Sequence, residues 1–294
     1  MKHLPIDGCE SPVIVRAFTE QGSGGNRAGV CVCKDFPDPQ VMQGIATEMG
    51  LSETAFVCPV PGVSGDDVPS FHIRYFTPLC EIELCGHATI AAFGYLFRRG
   101  VIAPGTLRIR TRAGDLHLIV GPDGSVLMEQ GDYSERDVDR SKYADIARSL
   151  GIDCADLDPQ IPIAIVSTGV EDMLIAVRSE AVLRDLVPVF SEIEKISNEH
   201  EICGYHVVTL HPSAEAEGAG AAALCRNFAP RYGIDEESAT GTSNAALAGR
   251  LVSLGLWQKG VDYDILQGLW MDRPSRIRVC RKERSWVGGH SEID

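Results

Sequence analysis

The chain lacks a long apolar run, since no stretch approaches the ~18 apolar residues that a membrane helix needs. The opening MKHLPIDGCE also lacks the apolar segment of a secretory leader, so a cytoplasmic location is expected. Basic residues are few, 27 against 41 acidic, and the formal net charge of -14 repels phosphate backbones. We therefore expect no nucleic acid and no membrane as partners. A small anionic substrate stays open, because the local field of a cleft can oppose the global charge.

The ten cysteines include no C-x-x-C pair, and their spacing does not match the usual zinc knuckle. Cys31 and Cys33 stand two residues apart, as residues on the same face of a strand do. Most of the cysteines are expected to be free, buried thiols of a reducing compartment, and no metal site is expected.

What is present is the composition of an ordinary globular protein, 44% hydrophobic and 23% charged over 294 residues. Roughly 100–200 residues per domain is usual, so this length predicts two domains. The chain also repeats itself about half a length apart. Arg74-Tyr-Phe-Thr-Pro and Arg226-Asn-Phe-Ala-Pro are each followed by acidic residues, a glycine step and an alanine-rich run. We predict two related domains, 1–123 and 124–294, with the end of the chain free to pack back on the first domain.

Short runs rich in Val, Ile and Phe predict strands. Those runs are Val13–Phe18, Gly29–Cys33, Ala55–Pro59, Phe71–Phe76, Leu107–Thr111, Asp115–Val120, Val126–Glu129, Ile161–Ser167, Met173–Val177, Tyr205–Leu210 and Ala221–Phe228. Helices are predicted from Asp38-Pro39 to about Met49, over His87–Arg99, over Asp139–Leu150 and from about Thr242 to Leu254. Ser213–Gly220 is predicted to be a flexible hairpin tip.

Each half has one glycine step directly before a predicted helix: Cys85-Gly86-His87-Ala88 in the first half and Thr240-Gly241-Thr242-Ser243 in the second. A helix that starts this way exposes its first N–H groups, which bind anions together with the helix dipole. Two such N-termini that converged would hold a carboxylate without a cofactor. In the plainer interpretation both glycines are simple turns, with Thr242 and Ser243 as helix caps; the duplication favours the carboxylate site.

Glu53 precedes the apolar run Thr54-Ala-Phe-Val. Desolvation there would raise the pKa of its carboxyl towards neutrality, which suits a group that both takes and gives a proton. This stretch alone, however, favours a solvated surface glutamate a few residues past the end of a helix.

Several of these residues together resemble the phenazine-biosynthesis PhzF-like proteins. The residues that carry the resemblance are Gly25-Asn26-Arg27-Ala28-Gly29-Val30, Ser52-Glu53-Thr54-Ala55-Phe56-Val57, Arg74 to Pro78 with Glu81, Cys85 to Thr89, Ala239 to Thr242, and Gln267-Gly268 with Met271, Arg273-Pro274-Ser275 and Ile277. They span nearly the whole chain in the family's order.

The resemblance implies an α/β (α+β) fold of the diaminopimelate epimerase type. Each of its two pseudo-symmetric domains is a curved, mostly antiparallel sheet or barrel around a central helix. It also implies a homodimer and a cofactor-independent isomerase of a small carboxylate metabolite, with the active site in an interdomain cleft. The best-known member moves a proton on a dihydro-hydroxyanthranilate.

By the same resemblance, Glu53 is the general acid/base, and His87, Glu237 and Thr242 complete the catalytic set. The substrate-binding residues it implies are Asn26, Cys85, Gly86, His87, Ala88, Thr240, Gly241, Thr242 and Ser243. At a helix start the dipole disfavours an imidazolium, so we expect a neutral His87, which could instead simply cap its own helix.

The chain departs from the family at a few of these positions: Glu237-Ser238 replaces Asp-Pro, Thr242 replaces Ser, and Asn244 replaces His. Arg27 also stands where Pro is common. These changes bear on the substrate rather than on the acid/base group.

Two other functions stay open. Epimerases of this fold use one cysteine per half, and Cys85 matches the first, but Thr240 occupies the second position and cannot act as a base at neutral pH. A one-base epimerase, racemase or dehydratase of an amino or hydroxy acid, using Cys85 or Glu53, is one alternative. A catalytically silent small-molecule or protein-binding member of the fold is the other.

Overall fold

The computed structural model describes residues 8–60 and 68–294, and these form two compact units. Unit 1 comprises Met1–Glu129 and Gly288–Asp294, and unit 2 comprises Gln130–Val287. The predicted domains 1–123 and 124–294, as independently folding parts, stay a prediction. Within the described ranges, no helix is both long and apolar enough to cross a membrane.

The strands of the described residues are β1 Val13–Ala17, β2 Asn26–Val32, β3 Thr54–Pro59, β4 Ser70–Phe76, β5 Glu81–Ile82, β6 Gly105–Thr111, β7 Gly114–Val120, β8 Val126–Glu129, β9 Ser134–Asp137, β10 Ala164–Ser167, β11 Glu171–Ala176, β12 Tyr205–Thr209, β13 Ala223–Ala229, β14 Ile234–Glu237, β15 Asp262–Gln267, β16 Ser275–Arg281, β17 Ser285–Gly289 and β18 Ser291–Ile293. The helices are α1 Pro39–Met49, α2 Gly86–Arg98, α3 Tyr143–Ser149, α4 Glu180–Arg184, α5 Phe190–His200, α6 Ala214–Gly218 and α7 Gly241–Ser253.

The two units have the same internal topology, as the sequence repeat predicts. In unit 1, β1–β2, β3–β4, β4–β5 and β6–β7 are antiparallel, whereas β2–β3 and β4–β6 are parallel. In unit 2 the corresponding six pairs, made by β10 to β16, have the same directions. This is the predicted mostly antiparallel α/β architecture of the diaminopimelate epimerase type, and it is confirmed.

Each unit wraps its sheet around one buried helix. In α2 the run from Ala88 to Leu96 is buried, and α7 is buried from Ser243 to Leu251. A helix that is buried on all sides belongs to the core rather than to the surface. The helices α2 and α7 therefore hold their N-termini at fixed places in their units.

Sequence signals locate the main elements to within a few residues. Asp38 accepts a hydrogen bond from the Gln40 N–H at 2.8 Å and caps α1, with Pro39 at its first position and Gly50 in the left-handed conformation at its end. One prediction fails, because the segment predicted as a flexible hairpin tip contains α6, capped by the Ser213 hydroxyl. The sequence also gives no prediction for the helices α4 and α5 and the strands β5, β9 and β14 to β18.

The cysteine prediction holds in part. Eight cysteines are free, but Cys80 and Cys154 are exposed rather than buried. Cys9 and Cys33 form a disulfide, which the sequence did not predict. Cys31 and Cys33 do lie on one face, in a small apolar cluster covered by α1.

Candidate functional site

In unit 1 three chemically active side chains meet at the start of α2. Glu53 stands one residue before β3, where its carbonyl accepts the Gly29 N–H at 2.9 Å. Cys85 is the N-cap residue of α2, and His87 lies in the first turn of that helix. The His87 ring brings the three together, with Nε2 at 3.1 Å from Glu53 Oε2 and Nδ1 at 3.5 Å from Cys85 Sγ.

Two atoms at the centre of this cluster are buried without an aligned hydrogen bond. Glu53 Oε2 and His87 Nε2 are 3.1 Å apart, within the distance of an ion pair, and neither atom has a hydrogen bond of regular geometry. Only 19% of the Glu53 side chain and 13% of the His87 side chain is exposed. Buried polar atoms normally have hydrogen-bond partners, so this pair keeps capacity for a third polar or reacting group.

The local charges favour an ionised pair. Burial alone would raise the pKa of Glu53, but polar groups of His87, Ser52 and Cys85 and the His87 charge outweigh it and hold that pKa below its usual value. Burial likewise opposes a charged His87, but Cys85 and Glu53 outweigh it and raise the His87 pKa well above its usual value. The expectations of a raised Glu53 pKa and a neutral His87 are therefore wrong. The neighbouring side chains dominate over both desolvation and the helix dipole.

The structure also decides the two plainer interpretations of these residues, a solvated surface Glu53 and a His87 that caps its own helix. Glu53 is not a solvated surface carboxylate, since most of its side chain is buried. The two ring nitrogens of His87 face Cys85 and Glu53 rather than the backbone of α2, so His87 does not cap its own helix, and the Cys85 side chain forms no capping bond either. The first N–H groups of α2 are thus not satisfied by a capping side chain.

In unit 2 the corresponding helix start is held by Gln267. The Gln267 side chain accepts the Thr240 N–H at 3.1 Å and donates to Thr240 Oγ1 at 3.0 Å and to the Glu237 carbonyl at 2.7 Å. Thr240 Oγ1 in turn donates to Glu237 Oε2 at 3.3 Å. These bonds place the Glu237 carboxylate beside the start of α7, where no side chain caps the helix. Neither Thr242 nor Ser243 is a cap, contrary to the plainer interpretation.

The Ser243 hydroxyl instead donates to the carboxyl of Asp172, a residue that the sequence analysis missed. Asp172 lies in β11 and is 3% exposed. Burial and the charge of Glu237 raise its pKa to about 7, against the opposing hydrogen bond from Ser243. One signal was available, because an acidic residue inside an apolar strand (Glu-Asp-Met-Leu-Ile-Ala) is rarely buried without a partner.

Asn244, which replaces the family's histidine, joins a buried amide network behind the α7 start. Its Nδ2 donates to Gln267 Oε1 at 2.9 Å and to the Thr240 carbonyl at 2.8 Å. His206 Nε2 lies 3.3 Å from Asn244 Oδ1, and Asn227 Nδ2 lies 3.3 Å from His206 Nδ1. Burial lowers the pKa of His206 to about 4, so this imidazole is neutral and has a structural role.

The remaining predicted residues lie at the edges of these two groups. Asn26 is the first residue of β2 and is half-buried, opposite Ala17 of β1. The carbonyl of the half-buried Thr242 accepts the Thr168 hydroxyl at 3.1 Å. By unit, the structure places Asn26, Glu53, Cys85, Gly86, His87 and Ala88 in unit 1, and Glu237, Thr240, Gly241, Thr242 and Ser243 in unit 2.

A surface cavity of about 690 Å³ in unit 2 contains none of the predicted site residues. It lies between α3 and α5, and its lining includes Lys142, Glu192 and Lys195. Charges of both signs line it, so it shows no preference for an anionic substrate.

Known proteins resemble this chain over most of its length. A family model described as phenazine biosynthesis-like protein matches residues 15–292. An uncharacterized isomerase of Clostridium acetobutylicum is 33% identical over 81% of this chain and 78% of its own. An uncharacterized isomerase of Deinococcus radiodurans is 31% identical over 95% of this chain and 91% of its own.

Solved structures show the same fold. A PhzF-family phenazine biosynthesis protein of Bacillus anthracis superposes with a TM-score of 0.79 at 25% identity, over 97% of both chains. A hydroxyproline epimerase of Agrobacterium vitis superposes with a TM-score of 0.55 at 12% identity, over 96% of this chain and 90% of the epimerase. The second likeness concerns the fold alone.

Proposed function

Because the chain belongs to the phenazine biosynthesis-like (PhzF) family, we propose that it is a cofactor-independent isomerase of a small carboxylate, with Glu53 as its proton-transfer group. The observation that carries the proposal is the Glu53–His87 pair, buried and 3.1 Å apart with no aligned hydrogen bond. At the coarser level, the names of the relatives support an isomerase. The substrate class and the mechanism are this article's own proposal.

The charges of Glu53 and His87 suit a reaction in which a proton is removed from one carbon of the substrate and added to another. Glu53 rests as a carboxylate, because its pKa is held low by His87, so it has the protonation state that a base needs, although the lowered pKa makes it a weaker base than a free carboxylate. Once protonated it is a comparatively strong acid, for the same reason, and gives the proton back readily. His87 Nε2 is a donor for the negative charge that develops on the substrate while the proton is on Glu53.

The carboxylate of the substrate is assigned to the helix starts. The N-cap residues of α2 and α7 form no side-chain capping bond and neither helix has an acidic residue in its first turn, so the N–H groups and dipoles of both favour an anion. At α7 the Glu237 carboxylate already lies beside the helix start, where it would share the site with the substrate. That both helix starts act on one substrate molecule stays a prediction. Glu237 and Thr242 are proposed to complete the catalytic set from unit 2, as the family resemblance implies.

The test is deuterium wash-in followed by NMR, with the purified protein in D₂O and a panel of small carboxylates that includes dihydro-hydroxyanthranilate and common amino acids. Label should enter one compound with the native protein, and Glu53→Gln should slow that entry by about 10²–10⁴-fold, the usual contribution of a general base. Glu83→Gln, an exposed glutamate of the same unit, is the matched control and should leave the rate unchanged. If Glu53→Gln kept the native rate, Glu53 would not be the base.

A second candidate rests on the 3.5 Å contact between Cys85 Sγ and His87 Nδ1. A thiol beside an imidazole can act as a base, which would make the protein a one-base epimerase or racemase. In that case Cys85→Ser would stop label entry while Glu53→Gln would not, and the labelled product would be the mirror-image form of the substrate at the exchanging carbon.

A further inference from the structure

Unit 1 contains a second group of chemically active side chains, away from the proposed catalytic residues. The sulfur atoms of Cys9, Cys31 and Cys33 lie within 4.8 Å of one another, and we call these three residues the sulfur cluster. Strand β2 and the residue after it aim Cys31 and Cys33 at one face of the sheet, and an isolated bridge brings Cys9 beside Cys33. The spacing in the sequence shows no such site, because the backbone pairing is what gathers the three sulfurs.

The surroundings of the sulfur cluster are also rich in sulfur. Cys58 of β3 and Met42 of α1 pack in the same small core, together with Phe56 and Phe76. Cys31 and Cys33 are 0% and 1% exposed, whereas Cys9 is half-buried at the edge. Thiolates and thioethers are the ligands that monovalent copper prefers, and a dry, apolar shell suits it.

The spacing of the sulfur atoms fits a bound metal ion. With metal–sulfur bonds of about 2.3 Å, three thiolates in a plane around one ion are about 4.0 Å apart. Cys31 Sγ and Cys33 Sγ are 3.9 Å apart without any movement. Only Cys9, which lies at the edge, has to move away from Cys33 when the disulfide between them opens.

Charge also favours a cation at this place. The carboxylate of Glu10 lies close enough to act on the Cys31 thiol, and that of Asp35 acts on the neighbouring Cys58. Glu10 is tied to the Arg99 guanidinium at 3.0 Å, so its position is restrained. Because Arg99 offsets the charge of Glu10, the negative charge that meets the cation comes mainly from the three thiolates formed when it binds.

We propose that the sulfur cluster, when reduced, binds one monovalent copper ion through the Sγ atoms of Cys9, Cys31 and Cys33, and that the Cys9–Cys33 disulfide closes this site. Two molecules of a small thiol reduce the Cys9–Cys33 disulfide. The two small thiols become joined in one disulfide, and Cys9 and Cys33 each gain a hydrogen. Copper then binds with loss of the thiol protons. The disulfide removes two of the three ligands, so copper binding depends on the redox state of the chain.

The test uses the whole chain, reduced with dithiothreitol and then freed of it under nitrogen. Cuprous ion is titrated into the protein against the coloured chelator bicinchoninate. We expect one tightly held ion per reduced chain, and none at this affinity in the air-oxidised chain. X-ray absorption of the complex should show sulfur neighbours at about 2.3 Å. Equal binding by the oxidised and the reduced chain would overturn the proposal.

Variants separate this site from the other cluster that could hold a metal, that of Glu53, Cys85 and His87. Cys31→Ser and Cys31→Ala should each lose the tight ion, with circular dichroism as the check that both still fold. Cys154→Ser, an exposed thiol of unit 2, should bind as the native chain does. If Cys85→Ser lost the ion and Cys31→Ser kept it, copper would be at the α2 start and the proposal would be wrong.

Discussion

At the scale of single residues, the candidate site is governed by charges that act over one contact distance. Glu53 and His87 are both largely buried, and burial by itself would neutralise each of them. Their mutual contact, with Cys85 on the other side of the ring, reverses both tendencies. The sequence shows the residues but not this balance, because it depends on distances that only the fold sets.

The ion pair makes a testable contribution to stability. The raised pKa of His87 stabilises the fold fully below its usual pKa of 6.5, and this contribution is lost as pH rises through the higher folded value. The lowered pKa of Glu53 contributes above 4.5 and is lost as pH falls through its folded value. The native protein should therefore exceed His87→Gln in free energy of unfolding by the largest amount between about pH 4.5 and pH 6.5, the usual pKa values of the two groups.

Urea unfolding of both proteins from about pH 5 to about pH 9 measures this difference. A difference that grew with pH above 6.5 would contradict the raised pKa of His87. The ring proton signals of His87, followed by NMR across the same range, report its pKa directly and should titrate well above the usual value of 6.5.

Asp172 makes the stability of the protein depend on pH in the opposite sense to Glu53, because folding raises the pKa of its carboxyl. Its pKa rises from 3.8 to about 7 on folding, so the folded chain holds a proton that the unfolded chain has released between these values. Stability should fall as pH rises through this window and then level off, by about 4 kcal/mol in all for a shift of this size. In Asp172→Asn the decrease in stability with rising pH should vanish. The stability itself should also change, because the amide N–H₂ is a donor at a place where the Asp172 carboxyl accepts a hydrogen bond.

The measurement is the pH dependence of the free energy of unfolding for the native chain and for Asp172→Asn. Asp158→Asn is the control, since Asp158 is also a buried aspartate of unit 2 and accepts the Gln160 N–H at 2.9 Å. Equal slopes for the native chain and Asp172→Asn would mean that Asp172 is ionised throughout.

At the scale of elements, the central helices depend on close approaches at equivalent positions. A Cβ on Gly94 of α2 would lie 1.9 Å from Ser291 Oγ, and one on Gly249 of α7 would lie 2.4 Å from the Tyr133 ring. Glycine is required at both places because a neighbouring segment crosses the helix there. The alanine-rich pattern predicts the two helices, but it does not predict at which positions a side chain would collide with a neighbouring segment.

Gly249→Ala should destabilise the protein by about 1–3 kcal/mol, the usual cost of overpacking, because the new Cβ displaces the Tyr133 ring, whose hydroxyl is hydrogen-bonded to Glu135. Gly44→Ala is the matched control. Gly44 lies in the exposed part of α1 with nothing within 4 Å of its Cβ position, so alanine there should stabilise by about 1 kcal/mol. Thermal unfolding of the two variants checks both signs. A stabilising Gly249→Ala would mean that the contact with Tyr133 is loose.

The sequence predicts local structure well where the signal is local, and less well where distant segments decide. Asp38-Pro39 starts α1 and the glycine steps start α2 and α7, as predicted. Ser213–Gly220 was misread because its glycines suggested a loop, although the Ser213 cap and the Ala/Glu run favour a helix. The acidic residue in the apolar strand hints that Asp172 has a partner, but the partner is Ser243, 71 positions away, and no local pattern identifies it.

At the scale of the whole molecule, the repeat predicted from Arg74 and Arg226 extends to side-chain contacts. Arg74 forms two hydrogen bonds with Glu81, at 2.7 and 2.8 Å, and Arg226 forms two with Glu236, at 2.9 and 2.8 Å. The acidic residues after each R-x-F-x-P segment are thus explained as partners of its arginine. The chemistry differs between the halves, since the position of Glu53 before β3 is taken by Gly204 before β12.

The homodimer and the cytoplasmic location stay predictions. The Cys9–Cys33 disulfide should affect the stability of the two units unequally. Cys9 and Cys33 are 24 residues apart in unit 1, and a cross-link of that length restricts the unfolded chain by about 3 kcal/mol. Each unit has its own buried core, and that of unit 2 includes Ile165, Met173 and Val207. Reduction should therefore loosen unit 1 and leave unit 2 unchanged.

Hydrogen exchange measured by mass spectrometry, with and without dithiothreitol, resolves the two units in one experiment. Exchange should rise in peptides from β1 and β2, and peptides from β10 to β12 should keep their rates. In Cys33→Ser, which cannot form the cross-link, dithiothreitol should change nothing, because the disulfide is the only bond among the described residues that it can break. An equal rise in both halves would mean that they unfold as one cooperative body, and the stability of unit 2 would then depend on the disulfide as much as that of unit 1.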